Sequence, residues 1–183
     1  MTNPARGAHS DRPPRLSPTT DPTATLTALL HSFDDLDWPR ARATLADTVV
    51  VDYTSVFGGQ VETLDADRLV RRWQGVLPGF DATQHLTGPV LASAEPGGGA
   101  VRLEAQARAY HLLRSGSADP TWLIAGRYQL TVVPAADGRW LITELTLRRL
   151  YEQGDRGLLT LARSRAVTRR EGDPRGAGGR REG

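Results

Sequence analysis

Residues Ala100 to Leu113 alternate in polarity with a period of two, a pattern that an extended strand accommodates and a helix does not. One face reads Val101, Leu103, Ala105, Ala107, Ala109, His111 and Leu113; the other reads Arg102, Glu104, Gln106, Arg108, Tyr110 and Leu112. A long, half-buried strand follows, and it turns His111 inward. Three successive alanines on the inward face leave room that a close-packed core has no use for and the wall of a cavity does.

The neighbouring segments repeat the strand signature. Ala82 to Ser93 reads as a strand interrupted at Gly88-Pro89, which predicts a bend or bulge, and it carries His85 in Thr83-Gln84-His85-Leu86-Thr87-Gly88. Gly97-Gly98-Gly99 turns the chain into Ala100 to Leu113. After a polar loop at Arg114 to Pro120, Thr121 to Val133 places Ala125, Arg127 and Gln129 on one face and Trp122, Ile124, Tyr128 and Leu130 on the other. Asp137-Gly138 then leads into a last strand from Trp140 to about Arg149.

Helical spacing precedes these strands. Leu26, Leu29, Leu30 and Phe33 recur at i, i+3, i+4 and i+7, and Asp34 lies on or beside their stripe. A carboxylate there either finds a buried partner or fringes the helix end. Asp37 reads as the N-cap of a short helix from Trp38 to Ala46, with Pro39 in its first turn. Val49 to Ser55 reads as a strand, in which Tyr53 is either a core residue with its hydroxyl at the edge or a catalytic donor. Asp65 opens a third helix with Leu69, Val70, Trp73, Val76 and Leu77 as its stripe, ended by Pro78-Gly79. Three helices followed by long hairpin-connected strands predict an α+β fold, a curved antiparallel sheet wrapped around N-terminal helices.

Composition narrows the chemistry. The 183 residues contain no cysteine, which removes disulfides and thiolate catalysis, and no lysine, which removes Schiff-base chemistry and a P-loop lysine. Residues 23–162 carry 13 Arg against 16 Asp and Glu, so the formal charge of +2 resides in the ends, and a nucleic-acid partner is not expected. Residues 1–22 and 163–183, rich in Pro, Ser, Arg and Gly, are expected to be disordered tails around a single domain at 23–162, the first without the apolar run of a signal peptide. No run of 18 apolar residues exists to cross a membrane as a helix, so the expected setting is cytoplasmic. His9 falls in the first tail and His31 on the outer side of the first helix, both expected to be solvated.

Ser32-Phe33-Asp34-Asp35-Leu36-Asp37-Trp38, Val51-Asp52-Tyr53-Thr54-Ser55, Thr83-Gln84-His85-Leu86-Thr87-Gly88 and His111 together resemble scytalone dehydratase and its SnoaL-like relatives of the nuclear transport factor 2-like superfamily. The resemblance spans roughly residues 24–150 and implies a cone of curved antiparallel sheet closed by helices. It also implies roles: His85 removes a proton beside a ketone, Asp34 orients it, His111 helps the hydroxyl leave, and Tyr53 polarises the carbonyl through water. Two departures stand out. Phe33 replaces a second tyrosine, and alignment through Asp137-Gly138-Arg139-Trp140 puts Arg127 and Gln129 where the family has a pocket serine and asparagine. Arg127, Gln129, Phe33 and Trp73 are thus the expected substrate-binding residues, with Arg127 favouring an enolate, phenolate or carboxylate.

The expected activity is cofactor-free proton abstraction next to a carbonyl of a cyclic, polyketide-like small molecule, followed by water loss, isomerisation or ring closure. A non-catalytic binding or assembly module of the same fold is the alternative. A metal site built from Asp34, His85 and His111 is a third, although no close-spaced ligand pair supports it and no metal is expected. A homodimer or homotrimer formed through the outer face of the sheet is implied by the resemblance, with Trp122 and Tyr128 in its interface.

Overall fold

The computed structural model describes residues 21–114 and 120–171. Along the chain run α1 (Thr23–Asp34), α2 (Trp38–Ala43), β1 (Leu45–Asp52), α3 (Thr54–Phe57), β2 (Glu62–Asp65), α4 (Ala66–Gln74) and a 3-10 turn (Leu77–Gly79). There follow β3 (Ala82–Thr87), β4 (Leu91–Ala94), β5 (Val101–Leu112), β6 (Thr121–Pro134), β7 (Trp140–Gly154) and α5 (Leu158–Glu171). The fold is α+β, with an open, curved seven-stranded sheet ordered β2-β1-β7-β6-β5-β3, and β4 also paired to β5. All pairings are antiparallel except β1 with β7, which is parallel.

The interruption at Gly88-Pro89 has a clear consequence. One edge of β5 serves two short strands, β3 against its C-terminal half and β4 against its N-terminal half. Register shifts in the β6–β7 ladder between Ala125 and Gly126 and between Thr131 and Val132 add the local twist that curls the sheet. Leu26, Leu29, Leu30 and Phe33 of α1 and Leu69, Val70 and Trp73 of α4 are buried in the same core as Leu103, Leu130, Ile142 and Leu145 of the sheet. The Asp37 cap holds, its carboxylate accepting the Arg40 N–H at 3.0 Å, and Asp65, which opens α4 as expected, caps it by accepting the Arg68 N–H at 2.6 Å.

Several boundaries differ from expectation. α2 ends at Ala43 rather than Ala46, because Leu45 already begins β1. Thr54 and Ser55 leave the strand and form the single turn α3, since Asp52 accepts both the N–H and the hydroxyl of Thr54, at 3.0 and 2.6 Å, and folds the chain over. β2, four residues long, carried too little alternation to be noticed.

The larger correction concerns the C-terminal tail expected from Arg163. Residues up to Glu171 belong to α5, which buries Leu158, Ala162 and Ala166 at successive turns. Alanines give a weak apolar signal, and the surrounding arginines masked it. Those arginines dock the helix: both Asp81 oxygens accept from Arg165, at 2.8 and 2.9 Å, and Arg169 adds a third contact at 3.1 Å. The Arg165 hydrogen bonds, then the Arg114 N–H, hold the Asp81 carboxyl well below the usual carboxylate range. Most of the other expected tail (residues 1–20, with His9), residues 115–119 of the polar loop and residues 172–183 lie outside the described residues. No described helix is long and apolar enough to cross a membrane.

α5 lies against the 3-10 turn so closely that a Cβ at Gly79 would sit 1.8 Å from the Ala162 carbonyl oxygen. Backbone cannot yield as a side-chain tip does. Gly79→Ala is therefore expected to destabilise the protein by about 1–3 kcal/mol, read as a lower thermal midpoint with faster amide exchange across 158–171. A midpoint equal to wild type would mean that α5 does not dock there.

Candidate active site

Thr83, His85 and Thr87 face inward from β3, as its alternating burial dictates. In the β3–β5 register Thr83 pairs with His111 and His85 with Ala109, which puts both imidazoles on the same face of the sheet, one step apart. Their ring centroids are 5.8 Å apart and the rings nearly perpendicular.

Asp34 reaches them from the last residue of α1. That helix stops there because Leu36 adopts φ 53°, while the Leu36 and Asp37 N–H groups bond back to the Phe33 and Ser32 carbonyls at 3.3 and 2.9 Å. The arrangement is a Schellman stop with leucine where glycine is usual. Asp34 then accepts three hydrogen bonds, from the His85 N–H at 2.8 Å, the Thr83 hydroxyl at 2.9 Å and His85 Nδ1 at 2.7 Å. Burial alone would raise its pKa; the hydrogen bonds from the His85 ring, the His85 N–H and Thr83, together with the nearby imidazole, outweigh burial and lower it. Of the two sequence readings for Asp34, the buried partner is what the structure shows.

The tautomers follow from the acceptors. A carboxylate can only accept, so neutral His85 carries its proton on Nδ1 and presents a bare Nε2. His111 Nδ1 lies 3.1 Å from the Trp122 carbonyl, which also only accepts. Its Nε2 is bare as well. Burial, reinforced by the neighbouring His85, pulls the His111 pKa down to about 4, so near neutral pH the ring is uncharged, with its one proton on Nδ1 against the Trp122 carbonyl. Its bare Nε2 is placed to accept a hydrogen bond.

A hollow of about 520 Å³ adjoins the pair, lined by Phe33, Tyr53, Trp73, His85, His111, Trp122 and Tyr128 among others. Phe33 packs edge-on to Trp73 and His85, at 4.6 and 5.6 Å between centroids, and Phe80 and Trp122 flank His111 at 4.9 and 4.8 Å. Burial pushes the Tyr53 hydroxyl well above its ordinary pKa, against a hydrogen bond with Trp73, and burial does the same at Tyr128. Both phenols keep their protons.

Asp34, His85, His111, Tyr53, Phe33 and Trp73 are thus brought together, and Arg127 and Gln129 are not. These two point from the opposite face of β6, where Glu104 binds both, Arg127 at 3.3 Å and the Gln129 amide at 2.9 Å. The two sides of β6 are the reverse of expectation: Trp122 and Tyr128, expected in a subunit interface, are buried along the hollow. Their shared apolar face with Ile124 and Leu130 was the signal for it. Sequence reasoning also missed Phe57, Arg71, Leu159 and Arg163 of the lining. Among the described residues no three carboxylate or imidazole groups converge in a way that could hold a metal ion.

A family model described as a SnoaL-like domain matches residues 20–146. Among solved structures, the Kfla4162 protein of Kribbella flavida superposes with a TM-score of 0.67 at 21% identity, over 76% of this chain and 93% of that one. A protein of Novosphingobium aromaticivorans DSM 12444, provisionally assigned as a scytalone dehydratase, gives 0.59 at 19% identity, over 72% and 83%. The type 3 hexachlorocyclohexane dehydrochlorinase LinA of Novosphingobium barchaimii LL02 gives 0.52 at 19% identity, over 73% and 90%. Likeness at these identities establishes the fold. No curated protein matches the sequence significantly.

The buried imidazole sets a pH dependence. Above its unfolded pKa of 6.5, His111 is neutral in folded and unfolded chains alike; between 6.5 and about 4 the unfolded chain binds a proton that the folded hollow refuses. Stability should fall as pH drops through that window, by roughly 3 kcal/mol in all. Asp34, whose contribution is lost only below its ordinary 3.8, acts in a lower range. Urea unfolding between neutral pH and about pH 4.5 is expected to show a flatter slope in His111→Asn than in wild type; parallel slopes would refute the assignment.

Proposed function

This chain belongs to the SnoaL-like domain family of the nuclear transport factor 2-like superfamily, and from that premise we propose that it is a cofactor-independent enzyme acting on a cyclic, polyketide-like ketone. It removes a proton from the carbon beside the carbonyl and expels water, with isomerisation or ring closure as the outcomes that share the first step. The observation that carries this reading is the 2.7 Å contact between Asp34 and His85 Nδ1 beside an apolar hollow.

The chemistry follows from the tautomers. Substrate carbon presents its hydrogen to bare His85 Nε2, and the imidazolium that forms lies against the Asp34 carboxylate, which offsets its charge. The electron pair left on carbon moves onto the carbonyl oxygen. Tyr53 and Tyr128, held as neutral phenols, are the donors available to that oxygen. His111 Nε2 accepts a hydrogen bond from the substrate hydroxyl and holds its C–O bond in place. His85 returns the abstracted proton to that hydroxyl as the C–O bond breaks, so water leaves, a C=C bond forms and the enzyme regains its starting state. A dehydrochlorinase among the solved relatives is named for elimination, which agrees with this class of reaction.

The first step is testable without the natural substrate. Proton exchange at the acidic carbon of 2-tetralone in D2O, followed by NMR, is expected to be accelerated by wild type. His85→Ala should lower the acceleration by about 10²–10⁴-fold, and Asp34→Asn, which keeps the shape but removes the charge, by an intermediate factor, with ketone binding retained in both. Exchange that neither substitution alters would leave the hollow as a binding site alone.

A further inference from the structure

We infer that the substrate carries a carboxylate, held at the mouth of the hollow by Arg71 and Arg163 while its ring system lies inside. The inference extends the reading above by naming a feature of the molecule that His85 would act on.

Two helices supply these arginines. Arg71 lies on α4 one turn before Gly75, and Arg163 lies on α5 one turn after Leu159; all four residues line the hollow. Among the described residues the lining holds one acid, Glu62, and both its oxygens are already taken by Arg72, at 2.5 and 2.9 Å. The Arg71 and Arg163 guanidinium groups make no hydrogen bond or ion pair among the described residues, whereas those of Arg72, Arg165 and Arg169 near them are engaged. A third cation stands close: the Arg170 guanidinium comes within 4.0 Å of where a Cβ at Gly75 would be. With Arg72 and Glu62 cancelling, the mouth keeps a positive charge that nothing in the hollow offsets.

That surplus contrasts with the rest of the described residues, which without Arg71, Arg163 and Arg170 carry 14 Arg against 17 Asp and Glu. Deeper in, the lining turns apolar and aromatic, with Trp73, Trp122 and Ile124, and no charged group there would receive an anion. A ligand that suits both zones is a ring system bearing an anionic group at one end. Guanidinium forks match the two oxygens of a carboxylate, and Arg71 and Arg163 bring two of them to the lining from separate helices. The anion recognition that the sequence suggested for Arg127 is thereby assigned to other arginines, Arg127 being tied to Glu104 on the far face.

The test is binding of 2-naphthoate against its uncharged analogue 2-naphthamide, by fluorescence or calorimetry at low salt. Measuring in the Asp34→Asn background as well as wild type separates recognition from proton transfer. The naphthoate is expected to bind about ten-fold or more tightly than the amide in both proteins, with a preference that shrinks as salt rises. The Arg71→Gln, Arg163→Gln double variant should lose most of that preference while binding the amide as before, and Arg127→Gln should keep it. Equal affinity for acid and amide, a preference that survives in the double variant, or failure of either probe to bind would each overturn the inference. A preserved preference alongside absent proton exchange would instead overturn the enzymatic reading and leave this one standing.

Discussion

The Asp34 carboxylate is the clasp on which the rest of the site depends. β3 is an edge strand, and the N–H of His85 points away from its partner β5, where an unpaired donor would otherwise face the gap beside α1. Asp34 accepts that N–H, the adjacent Thr83 hydroxyl and the His85 ring together. One side chain thus fastens the end of α1 to the sheet edge and selects a tautomer. Structure and chemistry cannot be separated at this residue, because the backbone hydrogen bond that positions the strand also fixes the carboxylate that orients the ring.

Two histidines in one hollow take different character from their surroundings alone. His85 faces a charge that can stabilise its protonated form, whereas His111 is held between Phe80 and Trp122 against a carbonyl, and burial keeps it neutral. In the proposed reaction, environments that separate two like groups in this way suit them to different tasks, one carrying the proton and the other receiving a hydrogen bond. The division also avoids two adjacent imidazolium ions in a low-dielectric space, which would repel strongly at a centroid separation of 5.8 Å.

The sheet and most of the site were legible because strands declare themselves through alternation. The inward face of β5 and the histidines on β3 and β5 follow from period two, and Asp34 from its position on the α1 stripe. Legibility failed where that signal was degenerate. In β6 nearly every residue from Trp122 to Tyr128 is buried, so alternation no longer says which side faces the hollow, and family alignment tipped Arg127 and Gln129 the wrong way. In α5 the buried stripe of one leucine and two alanines contributes little to hydropathy, while its docking relies on arginine pairs that local composition presents as a solvated tail. Leu36, the stop for α1, is invisible for a related reason: a left-handed leucine is held by its surroundings, and no residue propensity announces it.

The location of those arginines is itself explained by the hollow. At the roughly 24 cal/mol per Å³ that a sealed, dry void costs, about 520 Å³ would forfeit on the order of 10 kcal/mol, as much as the whole net stability of a domain. A fold cannot carry that as a closed cavity. The hollow therefore has to stay open to solvent until a ligand fills it, and apolar residues at its lip would favour closing the walls over the gap. Arg71 and Arg163 oppose such closure, because their exposed charged ends keep their hydration, while the close approach at Gly79 and the Asp81 pairs fix α5 against the 3-10 turn. The same two charges that keep the hollow open in the free protein are then the first groups an incoming anion meets.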